Sequence, residues 1–323
     1  NFPYLSDHKV HDVIVFPAAG YLEMGRAAVE EVFGKGNHMF ENANFFQALS
    51  LAEQESRKVQ VSLKKKIGKT YVLEISSINE SKNELEWQPH FVSNIIVNST
   101  IVSHEIGKSN TPNGIEITKK AHYNFTNEIK LPYEEAFQTI KQAKINKNFI
   151  EAEISAGIKI SSNLDRYGFH PAILDGCFQA FLLAQYENPE KATFVPSSIG
   201  SIVFKSIQQK IENCSIKIEI ICKDENQYTT NGHILDENGT VIVDIQGFVF
   251  EKLEKDTSIV NQVEDWIYKI DWKEIPLPIT TTKRGEINLV FCHLEQCALV
   301  EQLKPTILVL KGNNFSFQKA SDR

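Results

Sequence analysis

The sequence predicts an α+β fold built twice over: a buried helix with an antiparallel sheet, followed by the same arrangement with no obvious sequence repeat. Three observations carry this. Two stretches, after Pro17 and from Pro171 to Gln185, have helical patterns too apolar to lie on a surface. Each is followed by strand-like segments rich in aromatic and β-branched residues. A polar stretch at 103–125, rich in Asn, Thr, Lys and Gly, separates the two series as a surface linker.

Taken in order, the chain opens with an apolar strand-like segment, Val13-Ile14-Val15-Phe16, that breaks at Pro17. Ala18 to Phe33 then leaves only Glu23, Arg26, Glu30 and Glu31 polar. Pro17 at its start and Gly34 with Gly36 after its end are helix start and stop signals. Strands are predicted at Asn44 to Leu51, Arg57 to Lys66, Thr70 to Ile78 and Glu86 to Val97, with turns at Gly68-Lys69 and Asn79 to Asn83. After the linker, Pro132 to Lys144 reads as a helix and Phe149 to Ile160 as a strand. The helix from Pro171 has a wide apolar face that includes Ile173, Leu174, Phe178 and Phe181. Strands follow at Phe194 to Ser206, Cys214 to Lys223, Tyr228 to Leu235 and Val241 to Leu253, with a hairpin turn at Asp236-Glu237-Asn238-Gly239. Beyond polar residues 254–263 come an aromatic strand at Trp266 to Trp272, buried strands at Glu286 to Cys292 and Thr306 to Leu310, and a short helix at Glu295 to Leu303. The expected domains are therefore 1–110, 125–255 and a truncated α/β segment at 264–323.

A net charge of −7 argues against nucleic acid as a partner. The lysines at 58, 64, 65, 66 and 69 alternate with Val59, Val61 and Leu63, which reads as the wet face of a strand. No apolar run reaches the ~18 residues of a membrane span, and no secretory leader opens the chain. The five cysteines lack paired spacing and read as reduced thiols of a cytoplasmic protein. The histidines do not cluster with them, so no structural metal is expected. The abrupt start suggests a piece of a longer polypeptide.

Chemistry is carried by two stretches. His8 precedes the first buried helix; alone, it reads as a hydrogen-bonded structural histidine. His11 is discounted as a metal partner, because residues three apart on a strand face opposite ways. Asp175 and Gln179 lie one turn apart on one face of the second helix. Alone, Asp175 reads as a carboxylate offsetting the helix dipole. Burial would raise its pKa and favour the acid form, with Gln179 orienting it. Together, a base from one half and an acid from the other suit an elimination. The N–H groups of Ala18 and Ala19, at a helix N-terminus, would polarise a carbonyl.

These stretches resemble the dehydratase domain of modular type I polyketide synthases. The family motif His-x-x-x-Gly-x-x-x-x-Pro reads here as His8, Asp12 in place of glycine, and Pro17, followed by Ala18-Ala19-Gly20-Tyr21-Leu22-Glu23. The second motif, Asp-x-x-x-Gln or His preceded by His-Pro-x-Leu-Leu, reads here as Asp175 and Gln179 after His170-Pro171-Ala172-Ile173-Leu174. A third, Tyr-Gly-Pro-x-Phe, keeps Tyr133 and Phe137 but has Glu134-Glu135 for Gly-Pro. Val195 to Gly200 also looks like a family segment. Aspartate tolerates the left-handed region, so the turn is expected to survive, with Asp12 pointing outward and activity kept.

The resemblance covers about residues 1–255 and implies a double hotdog fold. It implies His8 as base, Asp175 as acid and Gln179 as orienting residue, with Pro17, Ala18, Ala19, Tyr133, Phe137 and Pro171 around the substrate. That substrate is a β-hydroxyacyl thioester on the phosphopantetheine arm of acyl carrier protein, and the dehydratase itself binds no cofactor. The implied setting is a homodimer beside other synthase domains, with the tail from Asp265 beginning a ketoreductase structural subdomain. Two rivals share the fold: a double-bond isomerase or pyran-forming cyclase, and a non-catalytic carrier-protein docking module. The presence of Pro17, Asp175 and Gln179 favours dehydration.

Overall fold

The computed structural model describes residues 2–52, 56–78, 87–99, 106, 114–205 and 210–253, and the backbone of three strands beyond them. The chain divides into two compact units, Asn1–Ile267 and Tyr268–Arg323.

The first unit opens with a 3-10 turn, Pro3–Asp7, and a small hairpin of β1 (Lys9–Val10) and β2 (Val13–Val15). Lys9 pairs with Ile14 and Val10 with Val13, which leaves His11 and Asp12 as a two-residue turn. Both have positive φ, 48° and 66°, as a type I′ turn requires. Asp12 is exposed.

Helix α1, Ala18–Phe33, starts after Pro17 and ends where Gly34 turns to φ 78° and donates its N–H to Glu30 O. It is packed tightly on a sheet. A Cβ on Gly25 would stand 2.6 Å from Leu73 and 2.9 Å from Phe40, so only glycine admits this approach. The sheet strands here are β3 (His38–Phe45), β5 (Lys58–Lys65), β6 (Thr70–Ile78) and β7 (Trp87–Ile96), while β4 (Ser50–Leu51) pairs with β2. Phe40, Leu73, Ile75, Phe91 and Ile95 are fully buried beneath the helix.

The second half repeats the plan. Helix α4, Pro171–Phe181, follows the short helices α2 (Lys119–Glu128) and α3 (Ile158–Ser161), and every residue of α4 is buried. Its sheet holds β8 (Ile115–Thr118), β9 (Ile140–Asn146), β10 (Phe149–Ser155), β11 (Phe194–Phe204), β12 (Asn213–Lys223), β13 (Gln227–Leu235) and β14 (Val241–Lys252). The two sheets form one eleven-stranded sheet in the order β5-β6-β7-β3-β11-β14-β13-β12-β10-β9-β8. The junction is antiparallel β3 against β11, with Phe40 opposite Ile202. This duplicated helix-and-sheet arrangement is the double hotdog.

Three expectations are corrected. The strand placed at Asn44 to Leu51 lies earlier, as β3, with only Ser50–Leu51 pairing beyond it. A bulge explains the displaced pattern: the register shifts between Glu41 and Asn44, and Asn42 takes φ 50°. The helix expected at Pro132 to Lys144 does not form. Glu135–Phe137 makes a single 3-10 turn, and Ile140–Asn146 is a strand between β8 and β10. Non-local pairing overrides a local pattern compatible with either state. The helix sits instead at α2, which begins inside the stretch read as a linker and runs past its end, and Thr118 caps it by accepting the Ala121 N–H at 3.2 Å.

In the second unit, β15 (Asn288–Cys292) pairs in parallel with β16 (Thr306–Leu310), and β17 (Ser316–Lys319) runs antiparallel to β16. The segments Trp266 to Trp272 and Glu295 to Leu303 lie outside the described residues. No helix among the described residues is long and apolar enough to cross a membrane.

Candidate active site

His8 stands at the C-terminal end of the opening 3-10 turn, in extended conformation, with its N–H bonded to Leu5 O. The hairpin then folds back on it. Val15 N–H donates to His8 O at 3.1 Å, and the His8 Nδ1 stands 2.7 Å from Val15 O. A carbonyl only accepts, so Nδ1 carries the proton and the Nε2 lone pair is left free. The ring is packed by Phe137 and Tyr133, with centroids at 5.0 and 5.6 Å.

Asp175 sits on the first half of α4. His170 caps this helix by accepting the Ala172 N–H on its Nδ1 at 3.1 Å, and Pro171 takes the first helical position. One turn after Asp175, Gln179 Nε2 donates to Asp175 Oδ2 and to Phe137 O, each at 3.0 Å. The Tyr123 hydroxyl bonds the other end of that amide, Gln179 Oε1, at 3.3 Å. The amide is thus fixed as a donor to Oδ2, which leaves Oδ1 directed at His8. The Nε2 of His8 lies 3.7 Å from that Oδ1.

Burial raises the Asp175 carboxyl above the ordinary carboxylate range, against the opposing pull of His8 and the Gln179 N–H. Burial and then Asp175 itself push the Tyr133 phenol well above its usual value. His122, fully buried beside this group, is held neutral by burial, its pKa lowered to about 4. His122 and Tyr133 are therefore uncharged neighbours of the acid.

His8 and Asp175 both line a cavity of about 550 Å³, together with Ala18, Tyr133 and Gln179. Its walls are apolar, with Val15, Tyr21, Phe178, Leu182 and Phe250. Phe46, Glu251 and Lys252 line it and are exposed, so it reaches solvent there. Pro17, Ala19, Phe137 and Pro171 are buried behind this lining rather than in it. Val195, Pro196 and Ser197 do line the cavity. Tyr21 and Tyr123 escape sequence reasoning. Tyr21 has a signal, since it lies three residues after Ala18 on α1; Tyr123 has none, because its partners are distant in sequence. Among the described residues no three His, Cys, Asp or Glu side chains gather as a metal site would need.

Two family models match this chain. "Polyketide synthase dehydratase domain" matches residues 1–78, and "Polyketide synthase dehydratase N-terminal domain" matches residues 108–258. The chain belongs to the polyketide synthase dehydratase family. A highly reducing polyketide synthase of Pyrenophora dematioidea is 26% identical over 218 residues, covering 62% of this chain. The chain spans only 8% of that relative's length. The dehydratase domain from the CurJ module of the curacin polyketide synthase shares the fold, with a TM-score of 0.69 at 22% identity, over 78% of this chain and 88% of that one. An Asp→Asn form of the CurK dehydratase, described as an inactive mutant, has a TM-score of 0.65 at 23% identity over 78% of this chain and 89% of its own. A His→Phe form, also described as inactive, has a TM-score of 0.66 at 23% identity over 79% of this chain and 89% of its own.

In this dehydratase domain the two central helices are tied together by a buried carboxylate. Glu23 on α1 accepts Arg26 Nε at 2.6 Å and Nη2 at 2.8 Å. It also accepts the Gly168 N–H at 2.9 Å and the Phe169 N–H at 3.3 Å, from the loop that enters α4. Arg26 bonds Glu30 as well, at 2.6 Å. Such charge-assisted bonds are about twice as strong as neutral ones. The clamp thus fixes the helix carrying Asp175 against the helix that follows the His8 hairpin.

Proposed function

We propose that this dehydratase domain removes water from a β-hydroxyacyl thioester, with His8 as base, Asp175 as acid and Gln179 orienting Asp175. The observation that carries the reading is the 3.7 Å approach of His8 Nε2 to Asp175 Oδ1 within one cavity. The gap is too long for a hydrogen bond between them, but both atoms can reach neighbouring carbons of one substrate. His8 Nε2 takes the proton next to the thioester carbonyl. The Cα electron pair forms the double bond and expels the β-hydroxyl, which Asp175 protonates from Oδ1 as water. The N–H group of Ala18, which lines the cavity, lies in the first turn of α1, where no intrahelical carbonyl is available to it, and would steady the developing enolate oxygen.

The histidine and aspartate changes that inactivate the CurK dehydratase support these roles by analogy. The test is mass spectrometry of a 3-hydroxyacyl pantetheine thioester after incubation with the chain. Loss of one water with appearance of the enoyl thioester is expected. A product of unchanged mass would replace this reading with isomerisation or cyclisation.

The acyl group would arrive on the phosphopantetheine arm of an acyl carrier protein, beside a ketoreductase and other synthase domains, with a second copy of the chain as dimer partner. The parallel pair of β15 and β16 fits the start of a ketoreductase structural subdomain. Free thiols at Cys177, Cys214 and Cys222 suit the cytoplasm.

A further inference from the structure

We propose that Asp7 and Lys9, the residues on either side of His8, are positioning residues that hold the base through an ionic clasp with Glu134, Glu135 and Lys159. The inference rests on the proposed role of His8. Its starting point is the segment that packs the His8 ring. Tyr133 and Phe137 flank the imidazole, and between them this chain carries Glu134-Glu135-Ala136, with Glu134-Glu135 standing where the dehydratase motif that it resembles has Gly-Pro. Proline fixes its own φ and restricts the residue before it. Two consecutive glutamates restrict neither, so another device must hold the segment.

The contacts supply it. Asp7 O accepts the Glu134 N–H at 2.9 Å, and Asp7 Oδ2 accepts the Ala136 N–H at 2.8 Å. Lys159 Nζ reaches Asp7 Oδ2 at 3.0 Å and Glu135 Oε2 at 3.6 Å. On the other side of His8, the Lys9 ammonium pairs with Glu134. Each glutamate of the pair thus meets a lysine, and both chain neighbours of His8 are fastened to the segment that packs its ring. Asp7 is buried, whereas the Glu134 and Glu135 side chains are largely exposed. Exposed ion pairs add little to folding stability. Small displacements of a base, in contrast, cost rate steeply. The clasp therefore acts on the placement of His8 more than on the fold.

The test uses the full chain and a 3-hydroxyacyl pantetheine thioester, so that charges touching a carrier protein play no part. Lys9→Glu and Glu134→Lys are each expected to lower kcat about tenfold with KM nearly unchanged. The double exchange, K9E with E134K, restores kcat to near the native value. Asp7→Asn lowers kcat further than either and keeps KM, while circular dichroism shows the fold retained. Single variants with native kcat, or a double exchange no better than its singles, overturn the clasp. His8→Ala, run alongside, separates this from the parent reading. If it stays active, the assignment of the base has failed; if it is inactive while the clasp variants match native, only the clasp has failed.

Discussion

The Nε2 atom of His8 stands 3.7 Å from the Oδ1 atom of Asp175, although the two residues come from different halves of the duplicated fold. Each is aimed by a bond on its far side. Val15 O occupies Nδ1 of the histidine, and Gln179 occupies Oδ2 of the aspartate. The reactive atoms left over are those that face each other. This arrangement makes definite demands on pH, tautomer and stability.

The pH dependence follows from Asp175. Burial raises its pKa, so the acid form persists above the ordinary carboxylate range and is lost as pH climbs through the raised value. The alkaline limb of the kcat profile is expected to report that loss. Folding follows the same sign. A raised native pKa means stability is fullest below the unfolded value of about 4 and declines as pH rises through the native one. Asp175→Asn removes this penalty, so its Tm should equal or exceed that of the native chain at about pH 8, although its activity is lost. Thermal melts across pH check this; a variant that melts well below native at alkaline pH would contradict it.

The tautomer of His8 is a second consequence. The 2.7 Å contact to Val15 O places the proton on Nδ1. Long-range proton–nitrogen NMR of the neutral ring should show protonated Nδ1 and bare Nε2. The reverse pattern would leave no lone pair for proton abstraction.

Asp12 occupies the left-handed region at φ 66°, where glycine is free of the Cβ penalty. Asp12→Gly is expected to stabilise the chain by up to about 1 kcal/mol in denaturant unfolding. Because Asp12 is exposed at the hairpin tip, kcat should stay unchanged. A sharp rise in turnover would show that the carboxylate restrains His8.

Gly168 lies against the clamp between the central helices. A Cβ there would fall 2.1 Å from Arg26 Nη2, and Arg26 is held by Glu23 and Glu30. Gly168→Ala is expected to destabilise by about 1–3 kcal/mol and to lower kcat, because the displaced loop enters the helix that carries Asp175. Urea unfolding with parallel kinetics measures both. A neutral effect would mean that Arg26 can swing aside.

Both central helices were legible because each is bounded by local signals, Pro17 and Gly34 for one and Pro171 for the other, and is apolar nearly all round. The four strands from Phe194 onward are rich in β-branched and aromatic residues and were placed to within about two residues. The errors fall where non-local pairing decides. Ile140–Asn146 is a strand because β8 and β10 lie on either side, and the polar run before it hides an edge strand and a helix capped by Thr118. At the site, His8, Asp175 and Gln179 stand out as motif residues. Their supports do not, since the bonds from Tyr123 to Gln179, Glu23 to Gly168 and Asp7 to Ala136 each join residues far apart in sequence.

The most direct test of the central claim is the rate of enoyl formation from a 3-hydroxyacyl pantetheine thioester by His8→Ala, Asp175→Asn and the double variant, beside the native chain. If one base and one acid act in the same step, each single variant loses at least about 10³-fold in kcat. The double variant is then little slower than either, and all remain folded. A single variant that is folded and turns over within about tenfold of native would contradict the acid–base pairing of His8 and Asp175.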